Sequence, residues 1–145
     1  MRRYQLLPHT ADFRLKAEGD TFEELFTAAM AGMFEFVKKS FCPPAGDRPK
    51  GDQNFPISEN IKISSIDITA LLVDFLSVLL TLSQEKKVVF CRVKFLKLTD
   101  TEIEAEVFGA KVDGFDEDIK AVTYHEANVV KNARGAYETI IVFDI

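Results

Sequence analysis

The stretch from Ile66 to Leu82 is the most hydrophobic in the chain, yet Asp67, Asp74, Ser77 and Thr81 interrupt it. Leu71, Leu72, Phe75, Leu76, Leu79 and Leu80 recur there at helical spacing, and Val73 and Val78 widen the apolar face until only a narrow polar side is left. A helix so apolar needs cover on most sides. The polar interruptions make it a buried helix rather than a membrane span, so the rest of the chain must supply a core around it. Asp67 opens this helix and Gln84 to Lys87 end it. Asp74 falls on the narrow polar side, where its simplest reading is a solvent-facing residue.

The flanking segments are built to provide that core. Tyr4 to Pro8 reads as a short strand, and Phe13, Leu15 and Ala17 alternate with Arg14, Lys16 and Glu18, the period of a half-buried strand. Thr21 and Glu24 form a capping box, with Asp20 and Glu23 as an alternative register. Phe22, Leu25, Phe26, Ala29, Met30, Met33, Phe34 and Val37 then recur as a helical stripe, ended by Lys38 and Lys39. Phe41 to Phe55 is a loop by its prolines and glycines, and its Gly-Asp-Arg-Pro-Lys-Gly run lacks the end of a P-loop. Pro56 to Ile66 reads as a strand. Val88 to Leu98 and Glu102 to Val112 read as a hairpin with one acidic face, most simply an outer sheet surface. Asp113 to Asp118 is an acidic turn without EF-hand spacing. Ile119 to Val130 and Ala136 to Phe143 are the last two strands. The order strand, strand, helix, strand, helix, four strands is α+β, with two amphipathic helices on a mixed or antiparallel sheet. At 145 residues, 1–145 is expected to form one domain.

Composition narrows the function. There are 23 acidic residues against 18 basic ones, a formal net charge of -5, so no global basic field draws the protein onto nucleic acid. Thirteen phenylalanines and no tryptophan point to an aromatic core. Cys42 and Cys91 form no CxxC pair and read as two reduced thiols. The N-terminus carries no apolar signal core, so the expected compartment is the cytoplasm and no membrane is expected as a partner.

The polar residues that invite chemistry gather late in the chain. Lys120, Thr123, Tyr124 and His125 share one β-prone run, and the run Thr139 to Phe143 stops on Asp144 and the Ile145 carboxylate. Asp12 stands at a strand entrance, where the bland reading is a turn-capping aspartate. Asp12, Asp144 and the Ile145 carboxylate are hard anionic oxygens, the donors that calcium or magnesium takes. Brought together without a cation they would repel one another. Lys120 offers a second way to neutralise them, with no metal involved.

Five pieces of this chain together resemble the archease family. They are His9-Thr10-Ala11-Asp12, the helix opening Gly19 to Phe26, Leu71 to Leu76, Lys120 to His125, and the closing Val142-Phe143-Asp144-Ile145. The resemblance implies a cytosolic, non-catalytic protein cofactor of the GTP-dependent tRNA-splicing RNA ligase. That ligase joins 2',3'-cyclic-phosphate or 3'-phosphate ends to 5'-hydroxyl ends, and archeases promote guanylylation of its active-site histidine and its turnover. RNA would be met only through the ligase. By the same resemblance Asp12, Asp144 and Ile145 hold Ca2+ (or Mg2+ or Mn2+), Lys120 serves activation, and His9, Asp74 and His125 support the site. One departure stands out: family members often carry a longer, basic element between the positions of Gly109 and Lys120, where this chain has a short acidic segment.

Two other readings use the same residues. One is a metal-dependent phosphohydrolase or nuclease with His9 or His125 as proton shuttle. Its carboxylates are few for two-metal chemistry, and neither histidine sits in a recognised catalytic motif. The other is a general chaperone or binding module with a purely structural acidic cluster.

Overall fold

The structure, a computed structural model, describes residues 2–7, 12–43 and 55–145. Its elements in chain order are β1 (Arg3–Leu7), β2 (Asp12–Gly19), α1 (Phe22–Val37), β3 (Ile57–Ser64), α2 (Ile68–Lys86), β4 (Val88–Leu98), β5 (Glu102–Lys111), β6 (Ala121–Thr123), β7 (Val130–Lys131) and β8 (Tyr137–Asp144). One sheet runs β1-β2-β8-β6, with β7 also paired to β8, and the second runs β3-β5-β4. All the pairings are antiparallel. The fold is α+β, as the periodicity predicts.

Local chemistry sets both helices. Thr21 Oγ1 accepts the Glu24 N–H at 3.1 Å, and the Glu24 carboxylate accepts the Asp20 N–H at 2.8 Å, a capping box displaced by one residue. Asp67 Oδ1 accepts the Ala70 N–H at 2.8 Å. At the far end of α2, Lys87 takes a left-handed φ of 52° and its N–H returns to the Ser83 carbonyl. Gly32 is the point where α1 comes down onto β2, since a Cβ there would lie 2.6 Å from Leu15 Cδ1.

The helices join the two sheets. α1 packs on β1, β2 and β8 of the first and on β4 of the second, while α2 packs on β6 of the first and on β3, β4 and β5 of the second. Leu71, Leu72, Phe75, Leu76 and Leu79 of α2 are wholly buried, so its membrane-like length and hydropathy serve the core. Aromatic rings tie the layers: Phe26 meets Phe75 at 5.4 Å, Phe34 meets Phe90 at 6.0 Å, and Phe13 lies between Phe36 and Phe143 at 4.0 and 5.0 Å.

Two readings change in three dimensions, the run 119–130 and the two cysteines. Ile119 to Val130 is two short strands, β6 and β7, because the backbone between them bonds to side chains: the His125, Asn128 and Val129 N–H groups go to the hydroxyls of Thr123, Thr139 and Thr69. Glu126, at φ 66°, makes the bend. The acidic face of β5 is the outer surface of the sheet, as its alternation predicts: Ile103, Ala105 and Val107 are buried on the other face, with Lys62 opposite Glu104 and Lys94 opposite Glu106 on the outer one. In the acidic turn, Asp116 accepts the Lys39 N–H at 2.9 Å and donates its own N–H to the Val37 carbonyl at 2.8 Å, closing the end of α1. Cys42 and Cys91 are not free thiols but a disulfide, with Cα atoms 5.3 Å apart. Forty-nine positions of sequence hid a proximity that only the packing of the α1 exit on β4 creates.

Candidate functional site

The strand register decides what gathers at one end of the first sheet. β2 pairs with β8 so that Asp12 stands directly opposite Asp144. On the other side of β8, Ala121 of β6 is the partner of Asp144. The Lys120 N–H donates to the Asp144 carbonyl at 2.7 Å. Asp12 is half-buried, while Lys120, Asp144 and Ile145 are exposed. Asp12, Lys120, Asp144 and Ile145 are thus together at one sheet end. Asp12 is the first paired residue of β2.

Side chains directly opposite on antiparallel strands point to one face with Cβ atoms about 5 Å apart. Two carboxylates so placed can reach one cation at the roughly 2.3–2.6 Å that calcium takes. Among the described residues no group of three or more His, Cys, Asp or Glu side chains gathers to hold a metal. The oxygens gathered at this sheet end are those of Asp12, Asp144 and the Ile145 main chain. Oxygens alone suit a hard cation.

The same two strands carry a second like-charge rung, Glu18 opposite Glu138. Glu18 is bridged by Arg134 and, at 3.1 Å, by Arg3, while Asn132 Nδ2 donates to both glutamates at 2.7 Å. The Arg134 hydrogen bond is the chief reason the Glu18 carboxyl is pulled down to about 2. No described residue makes an ion pair with the Asp144 carboxylate.

The segment that carries Lys120 is fixed from several sides. Thr123 Oγ1 donates to the Val142 carbonyl at 2.8 Å, and Gln84 Nε2 donates to the Ile119 carbonyl at 2.7 Å. Asp74 is not the solvent-facing residue that helical spacing suggests. Its two oxygens accept the Tyr124 hydroxyl at 2.5 Å and the Ser65 hydroxyl at 2.6 Å. The hydrogen bond to Asp74, then desolvation and the charges of Asp74 and Asp67, raise the Tyr124 phenol above its ordinary value. Glu126 forms a two-pronged pair with Arg14 at 2.9 and 3.0 Å. His125 is exposed, its N–H directed to Thr123. His9 lies outside the described residues.

Gln84, Ser65 and the Arg14–Glu126 pair escape sequence reasoning. Only Glu126, one residue beyond the Lys120 to His125 run, had any signal, and it was adjacency.

The sequence pattern of the Archease protein family matches residues 4–145. The chain belongs to the archease family. It is 34% identical to a protein archease of Methanosarcina barkeri, over 99% of this chain and 97% of that one. It is 31% identical to a protein archease of Thermococcus kodakarensis, over the full length of both. The solution structure of protein 1598 of Methanobacterium thermoautotrophicum shares the fold, with a TM-score of 0.75 at 22% identity over 98% of each chain. So does a crystal structure from Thermotoga maritima described as an archease, possible chaperone, with a TM-score of 0.64 at 18% identity over 97% of this archease and 96% of that chain.

Proposed function

We propose that this archease is a non-catalytic cofactor of a GTP-dependent RNA ligase, acting in tRNA splicing by promoting guanylylation of the ligase histidine and its turnover. The observation that carries the reading is the rung Asp12–Asp144 with Lys120 bonded beside it. Two aspartates facing each other on one rung favour a divalent cation at this end of the sheet. Asp12, Asp144 and main-chain oxygen of Ile145 would hold Ca2+, or Mg2+ or Mn2+. Bound there, the ion supplies positive charge to offset that of a nucleotide triphosphate. Lys120 adds an ammonium on a backbone fixed by Asp144, suited to a phosphate oxygen or an acidic ligase group. Asp74 and His125 support the shape of the Lys120 segment. A helper of another protein is also the sense of the "possible chaperone" description of the Thermotoga maritima relative.

The test is the rate of GMP transfer from labelled GTP to the cognate ligase, with this protein at substoichiometric ratio. Wild type is expected to accelerate guanylylation over many turnovers, and Asp144→Asn and Lys120→Met to lose most of that effect while remaining folded. Equal stimulation by the folded variants would remove the sheet end from the mechanism. Metal-dependent hydrolysis of phosphoesters by the protein alone would point to the phosphohydrolase reading instead.

A further inference from the structure

α2 lies alongside the segment that carries Lys120 and grips both of its ends. Near the C-terminus of the helix, Gln84 bonds the Ile119 carbonyl. Ten residues earlier on the helix, Asp74 accepts the Tyr124 hydroxyl. Residues 74 and 84 are separated by about 15 Å of helix rise. Residues 119 and 124 are separated by about 16 Å of extended chain. The spans agree, so one rigid helix reaches from end to end of the segment, antiparallel to it.

Packing does not explain the Tyr124 end. Tyr124 is 57% exposed, so little apolar burial holds it, and its hydroxyl bond to Asp74 ties it to α2. Asp74 is itself anchored, since the Ser65 hydroxyl occupies its other oxygen. At the opposite end the Ile119 side chain is buried, which fixes the residue before Lys120. Between these two anchors the Lys120 backbone meets β8, and its side chain remains exposed.

We infer that α2 is a splint that sets the position of Lys120 against Asp144, with Asp74 and Gln84 as positioning residues acting through Tyr124 and Ile119. The functional part of this rests on the role proposed above for Lys120; the positional part does not.

The experiment is amide hydrogen exchange of the full chain, followed residue by residue, alongside the ligase guanylylation rate. Tyr124→Phe deletes one hydroxyl, Asp74→Leu deletes the acceptor, Gln84→Leu frees the Ile119 carbonyl, and Asp74→Asn keeps an oxygen in place. Losing one bond to a charged acceptor is expected to speed exchange of the Lys120 amide about tenfold in Tyr124→Phe and in Asp74→Leu. Exchange in β2 and β5 stays within about twofold, guanylylation falls severalfold, and Asp74→Asn restores both readouts. Lys120 exchange within about twofold of wild type in all three deletion variants overturns the splint, as does an Asp74→Asn protein that behaves like Asp74→Leu. Lys120→Met separates the two claims. If it stimulates the ligase like wild type while Tyr124→Phe still loosens the Lys120 amide, the splint stands and the role proposed for the lysine fails.

Discussion

Asp144→Asn should make this archease more stable in chelator and less stable in calcium. In chelator, the facing pair Asp12–Asp144 repels itself across one rung. With the charges about 5 Å apart at an exposed sheet end, 332/(εr) gives about 0.8 kcal/mol at the dielectric of water, within the range for like charges directly opposite on strands. Asparagine keeps the shape and removes the charge, so the midpoint in EDTA should rise by about 3 °C for a chain of this size. Calcium at about 100 times its dissociation constant should stabilise wild type by about 2.7 kcal/mol, or about 10 °C, and the variant by a small part of that. The two melting curves therefore change order between the two buffers. Glu138→Gln is the internal control: the Glu18–Glu138 rung is already satisfied by Arg3, Arg134 and Asn132, so this substitution should stabilise in neither buffer. Thermal melts of the three proteins in EDTA and over a CaCl2 titration decide it. An Asp144→Asn protein that melts below wild type in EDTA, or keeps the full calcium shift, refutes the reasoning.

Other features give sharper signs than sizes. The Glu18 carboxyl is held at about 2 from an ordinary 4.5, so its stabilisation is complete above pH 4.5 and lost as pH falls towards 2. Unscreened, that shift is worth about 3 kcal/mol; Arg134 is largely solvent-exposed, so about 1–2 kcal/mol is expected. Acid unfolding of Glu18→Gln should show a shallower loss of stability across that window than wild type. The raised Tyr124 phenol stabilises fully below its unfolded value near 10 and loses that contribution as pH rises through the higher folded value. Asp74→Leu should bring one tyrosine titration down towards 10, read by absorbance at high pH. The Cys42–Cys91 bridge spans 49 positions, and loop-closure entropy assigns it up to about 4 kcal/mol. Reduction, or Cys91→Ser, should lower the denaturation midpoint, with two thiols appearing on reduction and none before it.

Where the sequence is self-sufficient, it reads well. The period-two run Phe13 to Glu18 is β2, and Thr21 and Asp67 start helices by capping bonds that need only neighbours. What escapes depends on distant partners. Asp74 looks solvent-facing on a helical wheel because nothing in α2 announces that Tyr124, fifty residues on, will lie over it. Cys42 and Cys91 carry no spacing signal either, since the contact is made by the exit of α1 against β4. The run 119–130 is β-prone throughout, yet hydroxyls from Thr69, Thr123 and Thr139 take its amides and break the ladder.

Register is the link between fold and site. A shift of β8 by one residue against β2 would put Phe143 on the outer face and turn Asp144 inward, so the buried Phe13 and Phe143 rings, with Phe36 stacked on Phe13, resist it. The same rings therefore hold Asp12 opposite Asp144, one residue along from the Phe13–Phe143 rung. β6 adds the third strand, and its own register places Lys120 just outside the ladder, where its amide closes on the Asp144 carbonyl. Three segments distant in sequence reach one sheet end because apolar packing fixes each register. Charge alone, which drives the aspartates apart, would not assemble them. A cation bound at a cluster that the core already holds in place, as proposed above, would lose less affinity to ordering its ligands.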